Sequence, residues 1–199
     1  YVLGVSAGAS TGAATAIIAL GAVDSLITGS FAFAGALVAT FALLLIAGQN
    51  AGPLQLILAG LAVGFGFQAV TNFLLFSSGS PETSQAVMFW MLGSLARAQW
   101  DQLAVLALVA VGLVGSAALF GPVLDALASG DRTAESVGIH PTGARIAFLI
   151  PVSAAVAVAV SAAGGIGFVG LIIPHLVRQL IGYSHRLLVL GSALCAGLF

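Results

Sequence analysis

Two histidines and two arginines gather in GLIIPHLVRQLIGYSHRLL, the stretch from Gly170 to Leu188: His175, Arg178, His185 and Arg186. Imidazoles could ligate a metal ion or carry a proton. A metal site needs more ligands than these. No carboxylate or thiolate stands beside the two histidines, and two neighbouring arginines repel a cation. Acid–base chemistry lacks its partners too, because the stretch supplies neither a nucleophile nor a carboxylate. The single Cys195 lies in an apolar run, so it builds neither a disulfide framework nor a cysteine-based metal site. The structural reading dominates. His175 and Arg178, three apart after Pro174, share one helix face. Gly182-Tyr183-Ser184 reads as a turn, with Ser184 placed to cap the helix that follows. The cluster then marks where one short apolar helix ends at the water boundary and the next begins.

Two further groups could do chemistry. Gln68, Thr71 and Asn72 form a polar strip in an otherwise apolar segment, at i, i+3 and i, i+4 spacing. The strip is either part of a translocation pathway or a set of hydrogen bonds between helices. The second group is the loop LDALASGDRTAESVGI. Val123 to Ala128 can form a short helix that Gly130 ends in a left-handed conformation. Asp131 can cap a second short helix through Glu135, which Gly138 terminates. Two small helices of this kind are either a docking knob for a soluble partner or a solvated connection between two spans.

Only 6% of the 199 residues are charged and 60% are hydrophobic, where a soluble domain carries about 25% charged residues. The mean hydropathy is +1.19. A chain this apolar is an integral membrane protein. There is no lysine, and the net charge of −1 excludes a nucleic-acid partner. The stretches Val2–Val23, Phe31–Ala47, Leu54–Phe76, Gln102–Phe120, Ile146–Ala163 and Ile166–Ile181 read as spans, and a further one opens at Leu187. Asp24 and Thr28-Gly29-Ser30 mark a turn, and Gly48 to Pro53 a polar connection. Gln85 to Leu95 is too short to cross and is expected at the interface or partly re-entrant, flanked by Trp90 and Trp100. GGIGFVG, Gly164 to Gly170, breaks a stretch too long for one span. The glycine pairs Gly4/Gly8, Gly8/Gly12 and Gly60/Gly64 read as close helix packing within one subunit.

With these spans, Arg132, Arg145, Arg178 and Arg186 fall on one side and Arg97 on the other, so the arginine-rich side is cytoplasmic. The Gly121–Arg145 loop is then cytoplasmic. The middles of the first five spans hold no ionisable side chain, which argues against a proton-coupled antiporter. No nucleotide-binding glycine motif is present. The chain begins without Met and ends inside an apolar run, and reads as a fragment of a longer polypeptide, 1–199 being one transmembrane domain with a charged cytoplasmic loop at 121–145.

Four stretches in this order resemble the FecCD family of BtuC-like permeases: LGVSAGASTGA from Leu3, FWMLGSLARAQWDQL from Phe89, LASGDRTAESVGI from Leu127, and GGIGFVGLIIPHLVRQLIGYSHRLLVLGSALCAG from Gly164. The resemblance implies an all-α, multi-span helical bundle, the transmembrane domain of an ATP-binding-cassette importer, with about seven of about ten helices present. It implies uptake of an iron–siderophore complex, haem or cobalamin across the bacterial inner membrane. The implied partners are cytoplasmic ATPase subunits, a periplasmic or lipoprotein binding protein, and a second permease subunit. No cofactor would be bound directly, ATP hydrolysis would take place on the separate ATPase, and the permease itself would not be an enzyme. Gly130, Asp131, Ala134, Glu135 and Gly138 match the ATPase-coupling loop. Gly48, Asn50, Pro53 and Gln55 match a cytoplasmic gate, and Gly64, Gln68 and Asn72 the translocation path. Pro174, His175, Arg178, His185 and Arg186 belong to the family's last motif. The family usually carries glutamate at position 131, a basic residue at 55 and aspartate at 184. The competing reading is an ion-gradient-driven secondary transporter with broken helices, the break being Gly164–Gly170. A channel or structural membrane subunit is a weaker third.

Overall fold

A computed structural model describes residues 4–21, 25–48, 51–95, 100–166, 169–181 and 184–198. Among them every regular element is an α-helix: α1 (Val5–Leu20), α2 (Ser25–Ala47), α3 (Pro53–Ser77), α4 (Pro81–Met91), α5 (Trp100–Leu119), α6 (Gly121–Ala128), α7 (Asp131–Ser136), α8 (Pro141–Ala163), α9 (Val169–Ile181) and α10 (His185–Leu198). Leu26–Ala47, Pro53–Ser77, Gln102–Leu119 and Pro141–Ala163 are long and apolar enough to cross a membrane. Val5–Leu20, Val169–Ile181 and His185–Leu198 are shorter apolar helices. Large side chains such as Phe65, Phe73, Leu108 and Val111 stand exposed. Apolar surface on that scale is stable against hydrocarbon, not water.

The chain divides into two compact units, residues 1–106 with 152–166, and residues 107–151 with 167–199. The first unit is built on glycine. A Cβ at Gly8 would lie 2.4 Å from the Gly35 carbonyl oxygen, and one at Gly12 would lie 2.0 Å from that of Phe31. Helices α1 and α2 therefore meet backbone to backbone, which only a missing side chain permits. Ala9, Ala13, Ala32 and Ala36 close the seam, each fully buried. On its other side α1 meets α3, where a Cβ at Gly4 would lie 3.0 Å from the Gly64 amide nitrogen. All three glycine pairs of the sequence thus include residues packed within the chain.

Local signals place the helix ends. Gly21 closes α1 at φ 59°, its N–H donating to the Ala16 carbonyl. Pro53 opens α3 and Pro81 opens α4, where a proline's missing N–H costs nothing. The Ser80 hydroxyl accepts from the Thr83 N–H and caps α4. The break expected at Gly164 is present. Gly164 has φ 77°, and a Cβ there would lie 2.6 Å from the Trp90 carbonyl oxygen. The Ser94 N–H donates to the Ala163 carbonyl at 2.7 Å, so the end of α4 is fastened to the end of α8.

One expected turn is not a turn. Thr28-Gly29-Ser30 lies inside α2, which begins at Ser25. The Ser30 hydroxyl donates to the Leu26 carbonyl at 2.7 Å, satisfying itself within the helix. Gly29 faces Ser161 of α8, whose carbonyl oxygen would lie 3.2 Å from a Cβ. The glycine serves close approach there, not chain reversal.

In the second unit α10 packs on α9. Ile173 and Val177, one turn apart on α9, bury against Leu188. Gly191 lets the pair close up, since a Cβ there would meet Ile181 at 2.7 Å and Val177 at 2.8 Å. Phe120 and Phe148 stack edge to face with centroids 6.0 Å apart.

Candidate functional site

The charged loop folds as two short helices. In α6 the Ser129 hydroxyl donates to the Asp125 carbonyl at 2.9 Å and closes the last turn. Gly130, at φ 110°, turns the chain where an L side chain would be strained. Helix α7 ends with the Gly138 N–H on the Glu135 carbonyl and the Ile139 N–H on that of Ala134. Gly130, Asp131, Glu135 and Gly138 are exposed, while Ala134 is fully buried and anchors the knob from beneath. Val137, 63% exposed, adds an apolar contact to the outer surface.

Asp131 does not cap α7 as its position suggested. The cap position is held by Gly130, without any side-chain bond. The Asp131 carboxylate instead accepts two hydrogen bonds from the Arg145 guanidinium, fourteen positions on at the start of α8. That hydrogen bond and charge hold the Asp131 carboxyl below the usual carboxylate range. A bidentate guanidinium outcompetes a single backbone N–H for the same oxygens.

A second pair ties the knob down from the other side. The His185 backbone N–H and its Nδ1–H both donate to Asp125 Oδ1, at 3.0 Å and 2.5 Å. The side-chain bond first, and the backbone bond second, lower the Asp125 carboxyl from its ordinary value. Asp125 thus stands at the head of α10, where a negative charge meets unpaired backbone donors. Next to it, a Cβ on Gly121 would lie 2.4 Å from Arg186 Cγ, so the stem of Arg186 lies across the start of α6. Arg178, Ser129, Ser184, His185 and Asp125 line one cleft of about 580 Å³.

The opening cluster of the sequence therefore comes together only in part. Arg178 and His185 share the cleft. His175 lies exposed on α9, with Gln179 3.4 Å away, and Pro174 sits inside that helix. Among the described residues no group of three or more metal-ligating side chains occurs.

The polar strip divides between its two readings. Thr71 is fully buried and its hydroxyl lies 2.7 Å from that of Thr11. The Phe67 carbonyl lies 3.0 Å from both hydroxyls, so one of them donates to the other and the second donates to that carbonyl. Thr71 is therefore a bond between helices. Gln68 Nε2 donates to Asn72 Oδ1 at 3.1 Å on the open face of α3. Gln68, Gly64, Ser6 and Ser10 line a groove of about 220 Å³. Of the gate residues, Gly48 ends α2 at φ 75° and Pro53 starts α3, with Gln55 exposed in its first turn. Asn50 lies outside the described residues.

Asp125 is the residue that sequence reading passed over. It stands 60 positions from His185. The signal was there in outline: an acidic residue in one short helix, and a turn before a basic pair in another segment.

Helices alone among the regular elements of the described residues, several of them long and apolar enough to cross a membrane, with a charged connection folded as two short helices, define a multi-span membrane protein. The model of the FecCD transport family matches residues 1–199, and the chain belongs to that family. It is 39% identical over its whole length to the cobalamin import system permease of Halobacterium salinarum, covering 53% of that protein. It is 35% identical to the vitamin B12 import system permease of Vibrio cholerae, with 99% of this chain and 60% of that protein covered. It is 33% identical to the Fe(3+)-citrate import system permease of Bacillus subtilis, with 97% and 57% covered. A chain solved in an inward-facing conformation, assigned provisionally to the metal-chelate type of ABC transporter, superposes with a TM-score of 0.89. The identity there is 26%, over 98% of this chain and 62% of the other. The chain thus spans between 53% and 62% of the length of these relatives.

Proposed function

We propose that the chain is the membrane-spanning part of an ATP-driven importer of a bulky metal chelate, cobalamin, haem or an iron–siderophore complex, in the cytoplasmic membrane. The observation that carries this reading is the knob α6–α7, two short helices of which α7 is exposed save for Ala134, within a chain that matches the family from end to end. ATP would be hydrolysed on a separate soluble subunit that seats the knob. Gly130, Asp131, Glu135 and Gly138 would form the seated surface. A binding protein on the opposite side would deliver the cargo, and a second permease copy or half would complete the path. Gln68, Asn72 and Gly64 would face the cargo, with Gly48, Asn50, Pro53 and Gln55 at the cytoplasmic gate.

The groove beside Gln68 supports a weakly charged path. Its polar lining is hydroxyl and amide, with no formal charge among the residues that form it. Such a wall slides past a large ligand without a deep electrostatic trap. The test is deletion of Asp131–Gly138 in the full-length permease, followed by co-purification with the ATPase encoded beside it. Loss of the ATPase with normal membrane insertion is expected. An ATPase retained by the deletion variant would refute the docking assignment.

A further inference from the structure

Nothing in the seated surface explains why α6 should be fastened to α10. A knob that only received an ATPase could be tethered by its two chain connections alone. Instead Asp125 Oδ1 accepts both the backbone N–H and the Nδ1–H of His185. His185 is the first residue of α10, so the bond grips the end of that helix and not merely a side chain on its flank. Gly121, the first residue of α6, is crossed by the stem of Arg186, the second residue of α10. Two contacts, one polar and one steric, therefore join the same pair of elements at adjacent positions. Helix α10 in turn packs tightly on α9 through Gly191 against Val177. Contacts thus run without a break from α6 to α10 and on to α9.

From this geometry we infer that Asp125 and His185 are positioning residues forming a latch that transmits movement of the coupling knob to α10. The inference rests on the knob being the ATPase seat, and it adds the route by which the seat would act on a membrane helix. The latch leaves the seated surface intact, because Asp125 lies in α6 and the exposed residues proposed for docking lie from Gly130 onward. Seating and transmission are thus separable by mutation.

Two measurements on the full-length transporter test the latch. In the first, Asp125→Ala is compared with Asp125→Asn, which keeps an oxygen to accept both N–H groups. The expected result for Asp125→Ala is an ATPase that still co-purifies and still hydrolyses ATP, with cargo moved per ATP reduced about fivefold or more. Asp125→Asn should keep most of the wild-type ratio. An unchanged ratio in Asp125→Ala, or transport and hydrolysis falling together, would overturn the latch. In the second, spin labels are placed at the exposed Ser129 and Leu194, with the exposed Cys195 replaced by Ser. Asp125→Ala should broaden the distance distribution between them, and His185→Ala should do the same. Unbroadened distributions would overturn the latch whatever the transporter carries. A wild-type protein that binds no ATPase, with the broadening still seen in Asp125→Ala and His185→Ala, would instead sink the docking reading and leave α6 as a structural clasp alone.

Discussion

Replacing Gly12 by alanine adds one carbon atom at the tightest point of the α1–α2 crossing. That Cβ would lie 2.0 Å from the Phe31 carbonyl oxygen and 2.7 Å from its carbon. Real Cβ contacts stay beyond 3.0 Å. The two backbones must therefore part by about 1 Å, since neither contacting atom is a side chain that can swing away. A gap of about 0.5–1 Å forfeits a quarter to a half of each dispersion contact along the seam. The seam consists of small residues, Ala9, Ala13, Ala32 and Ala36, that have no longer side chain to refill it. Overpacking of this kind costs about 1–3 kcal/mol, and alanine's better helix propensity returns up to about 1 kcal/mol. A net loss of about 1–2 kcal/mol is expected. The assay is SDS-driven unfolding of the full-length protein in mild detergent, followed by tryptophan fluorescence. Gly143→Ala is the control, because nothing lies within 4 Å of a Cβ there, and alanine's helix propensity should leave it neutral or more stable by up to about 1 kcal/mol. If Gly12→Ala unfolds with the wild type, the backbone-contact reasoning is wrong.

Three further expectations follow from other contacts. Thr71→Val should cost about 0.5–1.5 kcal/mol, and a double-mutant cycle with Thr11→Val should show coupling, since the two hydroxyls are 2.7 Å apart; zero coupling would refute the bond. Asp125 has a lowered carboxyl, so its contribution is present above the unfolded carboxylate value and is lost as pH falls through the folded one. With that side chain 43% exposed, solvent screening keeps the contribution below about 1 kcal/mol, visible as a steeper loss of stability below about pH 4 in the wild type than in Asp125→Asn. Parallel curves would show the pair to be inert. Gln68→Leu should slow cargo uptake without changing unfolding, because its amide lies on the open face of α3 with Asn72; unaltered uptake would remove Gln68 from the path.

Much of the fold was legible because membrane spans announce themselves one at a time. An apolar run of sufficient length with a proline to open it or a glycine to break it suffices, as at Pro53 and Gly164, whereas the close of α1 at Gly21 falls short of the span's expected end at Val23. The charged loop from Val123 to Gly138 likewise drew attention to a segment that does form two short helices. What escaped was pairwise and long-range. Thr28-Gly29-Ser30 has turn composition, but each hydroxyl in a helix can bond its own preceding turn, and Gly29 is demanded by a neighbour 132 positions away at Ser161. Asp131 looked like a cap because capping is a local rule, and Arg145 lay beyond its range. Gln68 and Thr71 share a helical face by spacing, yet the neighbour α1 covers one and leaves the other open. Asp125 could not be assigned without knowing that α10 starts beside α6.

The most direct measurement is uptake into sealed vesicles holding the full-length permease, its ATPase and the cargo-loaded binding protein. The nucleotide is supplied on the ATPase side, and ion gradients are collapsed with ionophores. The expected result is cargo accumulation that needs ATP and survives the loss of every gradient. Accumulation that persists without ATP and stops with the ionophores would contradict the assignment and establish a gradient-driven carrier.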